Sequence, residues 1–178
     1  MSRVHIVVTA VGHDKRGTVE KITDVAITHH ANIEESKMAR LGGEFAVIML
    51  LSLLDENVDG IITDFDNLKT QGLTVTSRIT DFSRLQKFKG YVPYEISVIG
   101  ADHEGIVNRV ASYLATEQIN IEVMDTAVTN APNTGTPLFS MSARVQAPPE
   151  LSLSKLRKKL AKAGDELDVD IEVKVPVR

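Results

Sequence analysis

The sequence predicts an α+β protein: two βαββαβ units in tandem, each a four-stranded antiparallel sheet with two helices on one face. Three observations predict it. First, the 178-residue chain aligns with itself at an offset of 88 residues. Val11-Gly12-His13-Asp14-Lys15-Arg16-Gly17-Thr18-Val19 lies over Ile99-Gly100-Ala101-Asp102-His103-Glu104-Gly105-Ile106-Val107, and Asn32-Ile33-Glu34 over Asn120-Ile121-Glu122. The identities are few but fall at Gly, Asp and Asn, the residue types that carry special backbone geometry. Second, apolar spacing within each copy alternates between strand and helix periods. Third, glycines stand where such a unit must turn.

In the first copy, Val4 to Val11 is a β-rich run ending at Gly12, and Val19, Ile22, Val25 and Ala26 follow at helical spacing. Ile33 to Leu41 reads as extended, Gly42-Gly43 as a hairpin turn and Phe45 to Leu54 as the returning strand. Ile61, Ile62, Phe65 and Leu68 give a second helix, Gly72 its C-terminal stop and Leu73 to Ile79 the last strand.

The second copy repeats the order. Tyr94 to Ile99 is a strand, and Val107, Val110, Ala111 and Leu114 form a helix face. Ile119 to Val128 and Leu138 to Val145 flank a longer hairpin loop, Asn130 to Gly135. Pro148-Pro149 precedes a helix with Leu153, Leu156 and Leu160 on one side, and Leu167 to Val175 closes the unit. Asp81 to Gly90 fits neither copy and reads as a charged connector, with Phe82, Leu85 and Phe88 spaced for one or two helical turns. The expected domains are therefore 1–80 and 92–178, with 81–91 between them. Right-handed crossovers place both helices of each unit on one face and leave the other face bare.

Alternation along the strands describes that bare face. Phe45, Val47, Met49, Leu51 and Leu53 form one row of the first copy's strand, and Ala46, Ile48, Leu50 and Leu54 the other, interrupted only by Ser52. Both rows are apolar, so this strand is expected to be covered on both faces, by the second copy, a second subunit or the connector. In the second copy Phe139, Met141, Ala143 and Val145 oppose Ser140, Ser142 and Arg144, ordinary in/out alternation.

Composition narrows the function. Hydrophobic residues are 43% and charged residues 25%, and the formal net charge is −4. That balance fits a soluble protein and disfavours a general nucleic-acid binder. Aromatics are 4% with no Trp, a poor supply for base stacking. The absence of cysteine excludes disulfides, thiolate nucleophiles and thiolate metal sites, and fits a cytoplasmic protein. The longest apolar run, Phe45 to Leu51, is too short to span a bilayer, and the N-terminus lacks the apolar core of a signal peptide. No Ser-His-Asp order, phosphate-binding loop or dinucleotide fingerprint is present. His29 and His30 are adjacent at a helix end and point apart; His5, His13 and His103 have no ligand-spaced partner, so no metal is expected. Lys155, Arg157, Lys158, Lys159 and Lys162 oppose the leucines of the last helix and read as a solvated face.

The turn Gly12-His13-Asp14-Lys15-Arg16-Gly17 is the main site candidate. Asp14 is placed to cap the first helix, and Gly17 to remove a side chain where something approaches closely. The free N–H groups and helix dipole there suit an anion such as a free amino-acid carboxylate. Asp102-His103-Glu104-Gly105 offers the same geometry. The same spacing also describes a capped helix with a packing glycine and no ligand. Asn32 and Asn120, just after the first helix of each copy, stand where a left-handed residue is often needed, and the backbone of Asn32-Ile33 or Asn120-Ile121 is expected beside the turn. The candidate ligand residues are Gly12, His13, Asp14, Arg16, Gly17, Thr18, Asn32 and Ile33 in the first copy. In the second they are Asp102, His103, Gly105, Ile106, Asn120 and Ile121.

Val8 to Gly17, Asn32-Ile33-Glu34-Glu35-Ser36 and Leu41-Gly42-Gly43-Glu44-Phe45 to Ser52 resemble the first half of the glycine cleavage system transcriptional repressor family, tandem ACT-domain proteins. The second copy resembles an ACT domain more generally, through Asp102, Gly105, Val107, Asn120 and Ile121. The resemblance implies two ferredoxin-like βαββαβ domains, amino-acid sensing and no catalysis or cofactor. It implies domains paired side by side or face to face, ligands at that interface near the glycine turn, and a homodimer. It implies a small amino-acid ligand, glycine among the candidates, and action through a partner regulator rather than by contact with DNA or membrane. By position, Asp14, Gly17 and Asn32 match the family motif in the first copy, and Asp102, Gly105 and Asn120 in the second. The family commonly has Pro before the motif glycine; here Arg16 and Glu104 stand there. The other readings are a stand-alone ACT subunit of an amino-acid metabolic enzyme and an RNA-recognition fold, which the scarcity of sheet aromatics disfavours.

Overall fold

The computed structural model describes residues 2–81, 88–132 and 134–176. The chain divides into two compact units, Met1–Gln86 and Lys87–Arg178. The first contains β1 (Arg3–His13), α1 (Thr18–Thr28), β2 (Asn32–Leu41), β3 (Glu44–Leu54), α2 (Val58–Asn67) and β4 (Leu73–Thr80). The second contains β5 (Val92–Ala101), α3 (Ile106–Thr116), β6 (Asn120–Asn130), β7 (Pro137–Ala147), α4 (Leu153–Leu167) and β8 (Val169–Lys174). The sheets are wholly antiparallel, in the orders β2-β3-β1-β4 and β6-β7-β5-β8. These are two ferredoxin-like α+β domains, and every strand and helix expected of the two copies is present with ends moved by at most three residues.

The turns form for the expected reasons. Gly42 and Gly43 both have positive φ, 60° and 86°, the signature of a two-residue hairpin whose twist matches the strands it joins. After α2 one 3₁₀ turn leads to Gly72 at φ 85°, a left-handed stop. The Ser152 hydroxyl accepts from the Lys155 N–H and caps α4. Each unit packs its own core between sheet and helices. In the first, Ile6, Val8, Met49, Leu51 and Leu53 meet Ile22, Ile61 and Phe65; in the second, Ile96, Val98, Met141 and Val145 meet Ile106, Leu114, Leu156 and Leu160.

The bare faces differ. On β7 the row Ser140, Ser142, Arg144 faces away from the helices; Ser142 lies between Ser97 and Asp125, Arg144 between Glu95 and Val123, and Ser140 between Ile99 and Ala127. On β3 that row is Ala46, Ile48 and Leu50, beside Val7 and Val11. Within the single chain Ile48 is 48% exposed and Val11 46%. Ser52 is 1% exposed, and Glu34 seals it. A bulge between Ile33 and Glu35 turns Glu34 onto this face, where its carboxylate accepts from the Ser52 hydroxyl at 2.5 Å and the Asn32 amide at 3.0 Å. The second unit repeats the bulge, with Glu122 accepting from Gln146 at 3.1 Å. Of the connector, Phe82 and Leu85 lie outside the described residues; Phe88 stacks edge-on against Tyr91 at 5.3 Å.

Candidate functional site

Both β-to-α turns have one backbone geometry. Gly17 and Gly105 are left-handed, φ 83° and 93°, and immediately precede α1 and α3. The Asp14 N–H donates to the Gly43 carbonyl at 2.9 Å, and the Asp102 N–H to that of Pro137 at 3.0 Å. Each turn is thus pinned to the hairpin beside it. In α1 the Thr18 N–H donates back to the Lys15 carbonyl at 3.2 Å, and the first helical bonds run from the Lys21 N–H to the Gly17 carbonyl and from the Arg109 N–H to that of Gly105, so the N–H groups before them have no intrahelical acceptor.

Two expectations are corrected, and a third position finds its reason in the backbone. Asp14 does not cap α1: Gly17 holds the N-cap position without a side-chain bond, and the Asp14 carboxylate instead accepts from Arg40 at 3.4 Å. At Gly17 and Gly105 no protein atom of the described residues demands a missing side chain. A Cβ at Gly17 would meet only Glu20 at 3.6 Å and one at Gly105 nothing within 4 Å; the left-handed φ is the reason for glycine. Asn32 and Asn120 are not left-handed; His30 (φ 52°) and Gln118 (φ 58°), two residues earlier, are.

Nor do Asn32-Ile33 and Asn120-Ile121 lie beside the turn of their own unit. Asn32 is opposite Ser52, which pairs with His5, whereas the turn follows His13, opposite Glu44. Eight residues of strand separate the two ends, about 26 Å at ~3.3 Å per residue. Helix α1 runs back along the sheet, so the residue after it lands at the far end. Asn120, opposite Gln146 and thus level with Pro93, is placed likewise.

The remaining candidates have identifiable local roles. A Cβ on Gly12 would fall 2.7 Å from the Gly72 carbonyl oxygen, and one on Gly100 2.6 Å from Val169, so these glycines admit β4 and β8. His13 pairs with Glu44 at 2.5 Å. Thr18 is buried and its hydroxyl donates to the Lys15 carbonyl at 2.8 Å. Arg16 is exposed, and Ile106 is a core residue. His103 donates through Nδ1 to the Glu104 carbonyl at 3.0 Å and through Nε2 to the Leu167 carbonyl at 2.8 Å. Carbonyls only accept, so both contacts are hydrogen bonds together only in the protonated imidazolium. The Leu167 bond, then the Glu104 bond and the nearby Asp102 and Asp168 charges, hold this imidazole above its ordinary pKa.

At the second turn the structure adds a hollow of about 630 Å³. Asp102, His103 and Gly105 form one side, Val107, Asn108 and Ala111 the helix wall, and Val128 and Phe139 the sheet wall. Val128 and Phe139 were not visible as site residues, because only the β6–β7 register sets Val128 opposite Phe139.

His29 and two cations of α4 have structural partners. His29 Nε2 meets Asp64 at 2.7 Å and its ring lies on Gly60, where a Cβ would fall 2.9 Å away; this joins α1 to α2. On α4, Arg157 donates to the Val173 carbonyl and Lys159 pairs with Glu117, so the basic face is partly engaged. Among the described residues no three His, Cys, Asp or Glu side chains gather as a metal would need, and no helix is long and apolar enough to cross a membrane.

The fold and the repeated turn define a tandem pair of ferredoxin-like modules. The profile of the ACT domain family matches residues 4–78 and 95–174, and the chain belongs to that family. UPF0237 protein MK1213 of Methanopyrus kandleri is 40% identical over 79 residues, 44% of this chain and 81% of that protein. The glycine cleavage system transcriptional repressor of Escherichia coli is 47% identical over 51 residues, 29% of this chain and only 27% of the repressor's length. Among solved structures, a protein of unknown function from Galdieria sulphuraria superposes with a TM-score of 0.82 at 30% identity, over 99% of this chain and 100% of that one. A structure bearing the provisional name of a glycine cleavage system transcriptional repressor superposes at 0.72 with 21% identity over 98% of both chains, a likeness of fold. The chain is a tandem ACT protein that resembles the repressor family.

Proposed function

We propose that this is a non-enzymatic regulatory protein that binds a small free amino acid and changes its contacts with a partner regulator. The observation that carries the reading is the doubly built glycine turn, with an open hollow of about 630 Å³ beside its second copy. A zwitterion suits that place. Its carboxylate would meet the unpaired N–H groups opening α3, and its ammonium the Asp102 carboxylate. Glycine heads the candidates because of the name of the Escherichia coli relative. Residues 1–80 and 92–178 are taken as the two domains and 81–91 as their connector. The protein works in the cytoplasm as a homodimer, with the apolar outer row Val7, Ile48 and Leu50 at its interface. It reaches DNA only through its partner, in keeping with a net charge of −4.

Ligand binding alters a partner contact only if its affinity differs between two states of the protein. Calorimetric titration of the full chain with the common amino acids, beside affinity purification from cells, tests the reading. Saturable binding with recovery of a transcription regulator supports it. Recovery of a metabolic enzyme instead favours an enzyme's detached regulatory subunit, and absence of binding to every amino acid removes the sensing role.

A further inference from the structure

The second helices of the two units carry opposite charge. α2 and α4 hold the same place in the topology, each joining the third strand of its unit to the fourth. From Asp55, in the 3₁₀ turn that leads into α2, to Asn67 the chain has Asp55, Glu56, Asp59, Asp64 and Asp66 and no Lys or Arg. From Leu153 to Gly164, α4 has Lys155, Arg157, Lys158, Lys159 and Lys162 and no acid.

Two residues of each set are used inside their own unit. Asp64 meets His29 at 2.7 Å and Asp66 meets Lys69 at 2.8 Å. Arg157 donates to the Val173 carbonyl at 2.9 Å, and Lys159 pairs with Glu117. Asp55, Glu56 and Asp59 remain on the first unit and Lys155, Lys158 and Lys162 on the second. All six are exposed and have no ion-pair partner among the described residues.

Helix stability explains these acids but not these lysines. Acidic side chains at the start of α2 complement the helix dipole. Lys155 stands in the first turn of α4, where the dipole opposes a cation, and that turn contains no acid. Lys155, Lys158 and Lys162 recur three and four residues apart, so they form one stripe about 10 Å long at ~1.5 Å per residue. Like charges at that spacing repel, so the stripe stabilises nothing within its own helix.

We propose that this stripe is a docking surface for a second copy of the chain, which lays Asp55, Glu56 and Asp59 against it. Three free cations then meet three free acids. Each copy offers one acidic and one basic surface, so the contact is heterologous and repeats from copy to copy. It is separate from the apolar sheet row Val7, Ile48 and Leu50 and from amino-acid binding. Exposed ion pairs are individually weak and screened by salt, so the association is reversible and belongs to low ionic strength. Duplex DNA offers the same lysines its phosphates, but the chain's net charge of −4 opposes that approach.

The test is sedimentation velocity of the full chain at about 0.01 M and about 0.15 M salt, between which the screening length falls from about 30 Å to about 8 Å. Wild type is compared with Glu56→Lys plus Asp59→Lys, with Lys155→Glu plus Lys158→Glu, and with an equimolar mixture of the two double variants; thermal melts verify folding. Wild type is expected to sediment faster at the lower salt. Each double variant alone loses that increase. The mixture regains it, because the reversed α2 of one variant meets the reversed α4 of the other, a rescue that misfolded proteins cannot give. A wild type that sediments alike at both salts, an increase that survives either reversal, or a mixture that behaves as its separate parts overturns the inference. Retardation of duplex DNA by wild type that Lys155→Glu plus Lys158→Glu abolishes assigns the stripe to phosphates and overturns it as well.

Discussion

The Nε2–H of His103 donates to the backbone carbonyl of Leu167 at 2.8 Å, tying the turn before α3 to the last residue of α4. The bond makes that attachment depend on protonation. The carbonyls of Leu167 and Glu104 raise the folded-state pKa above the unfolded value. The contribution to stability is thus fully present below the unfolded pKa, about 6.5, and is lost as pH rises through the folded value. An NMR titration of the full chain is expected to show His103 titrating above the ordinary histidine value, and His103→Gln to remove that transition. A His103 resonance titrating at or below about 6.5 contradicts the geometry.

Two glycines near the first turn are expected to respond differently to alanine. At Gly12 the new Cβ meets the Gly72 carbonyl oxygen at 2.7 Å, a backbone atom that cannot swing away. Overpacking of this kind costs about 1–3 kcal/mol. At Gly17 there is space, and the cost is the left-handed backbone alone, about 1 kcal/mol. Urea denaturation of Gly12→Ala and Gly17→Ala is expected to rank the former as more destabilised; the reverse order would show that space, not conformation, governs Gly17.

Self-association through the first sheet is expected to depend on Ile48 and Leu50. The second unit carries Ser142 and Arg144 at the matching register positions. Ile48→Ser with Leu50→Arg copies that polar face, so sedimentation velocity should show the double variant as a folded monomer and the wild type as a dimer. A wild type that is monomeric at every concentration contradicts the proposed interface.

Ser52→Ala removes a buried donor from Glu34. The Ser52 bond, then the Asn32 bond, lowers the pKa of this carboxyl, so its contribution exists above the unfolded glutamate value and fades as pH falls through the folded one. The variant is expected to melt earlier than wild type near about pH 7 and to converge with it near about pH 3. A difference that persists unchanged in acid would assign the effect to packing around Ser52 rather than to the Glu34 bond.

The readable parts of the fold were those written in short-range pattern. Gly42-Gly43, Gly72 and the Leu156–Leu160 stripe each act within a few residues, and the 88-residue offset carried the reading from one unit to the other. The misplaced parts depend on partners distant in sequence. Asp14 looked like a cap because its nearest helix is four residues on; Arg40, on another strand, takes its carboxylate. Asn32 looked adjacent to the turn because it follows the same helix, but that helix carries the chain to the other end of the sheet. Gly60 carried no local signal at all, since its reason is the ring of His29. In the site itself the aspartate and glycine of each turn were visible as motif residues. The difference between the turns was not, because it lies in Arg40 and Val128 and requires strand register to see.

The central claim is that the glycine turn is an amino-acid site. The most direct measurement is a two-dimensional amide NMR spectrum of the full chain as glycine, alanine, serine and valine are added in turn. The account predicts saturable shifts at Asp102, Gly105, Ile106 and Val107, with Val128 following across the hollow. Amide positions there that do not move with any of the four amino acids would contradict it.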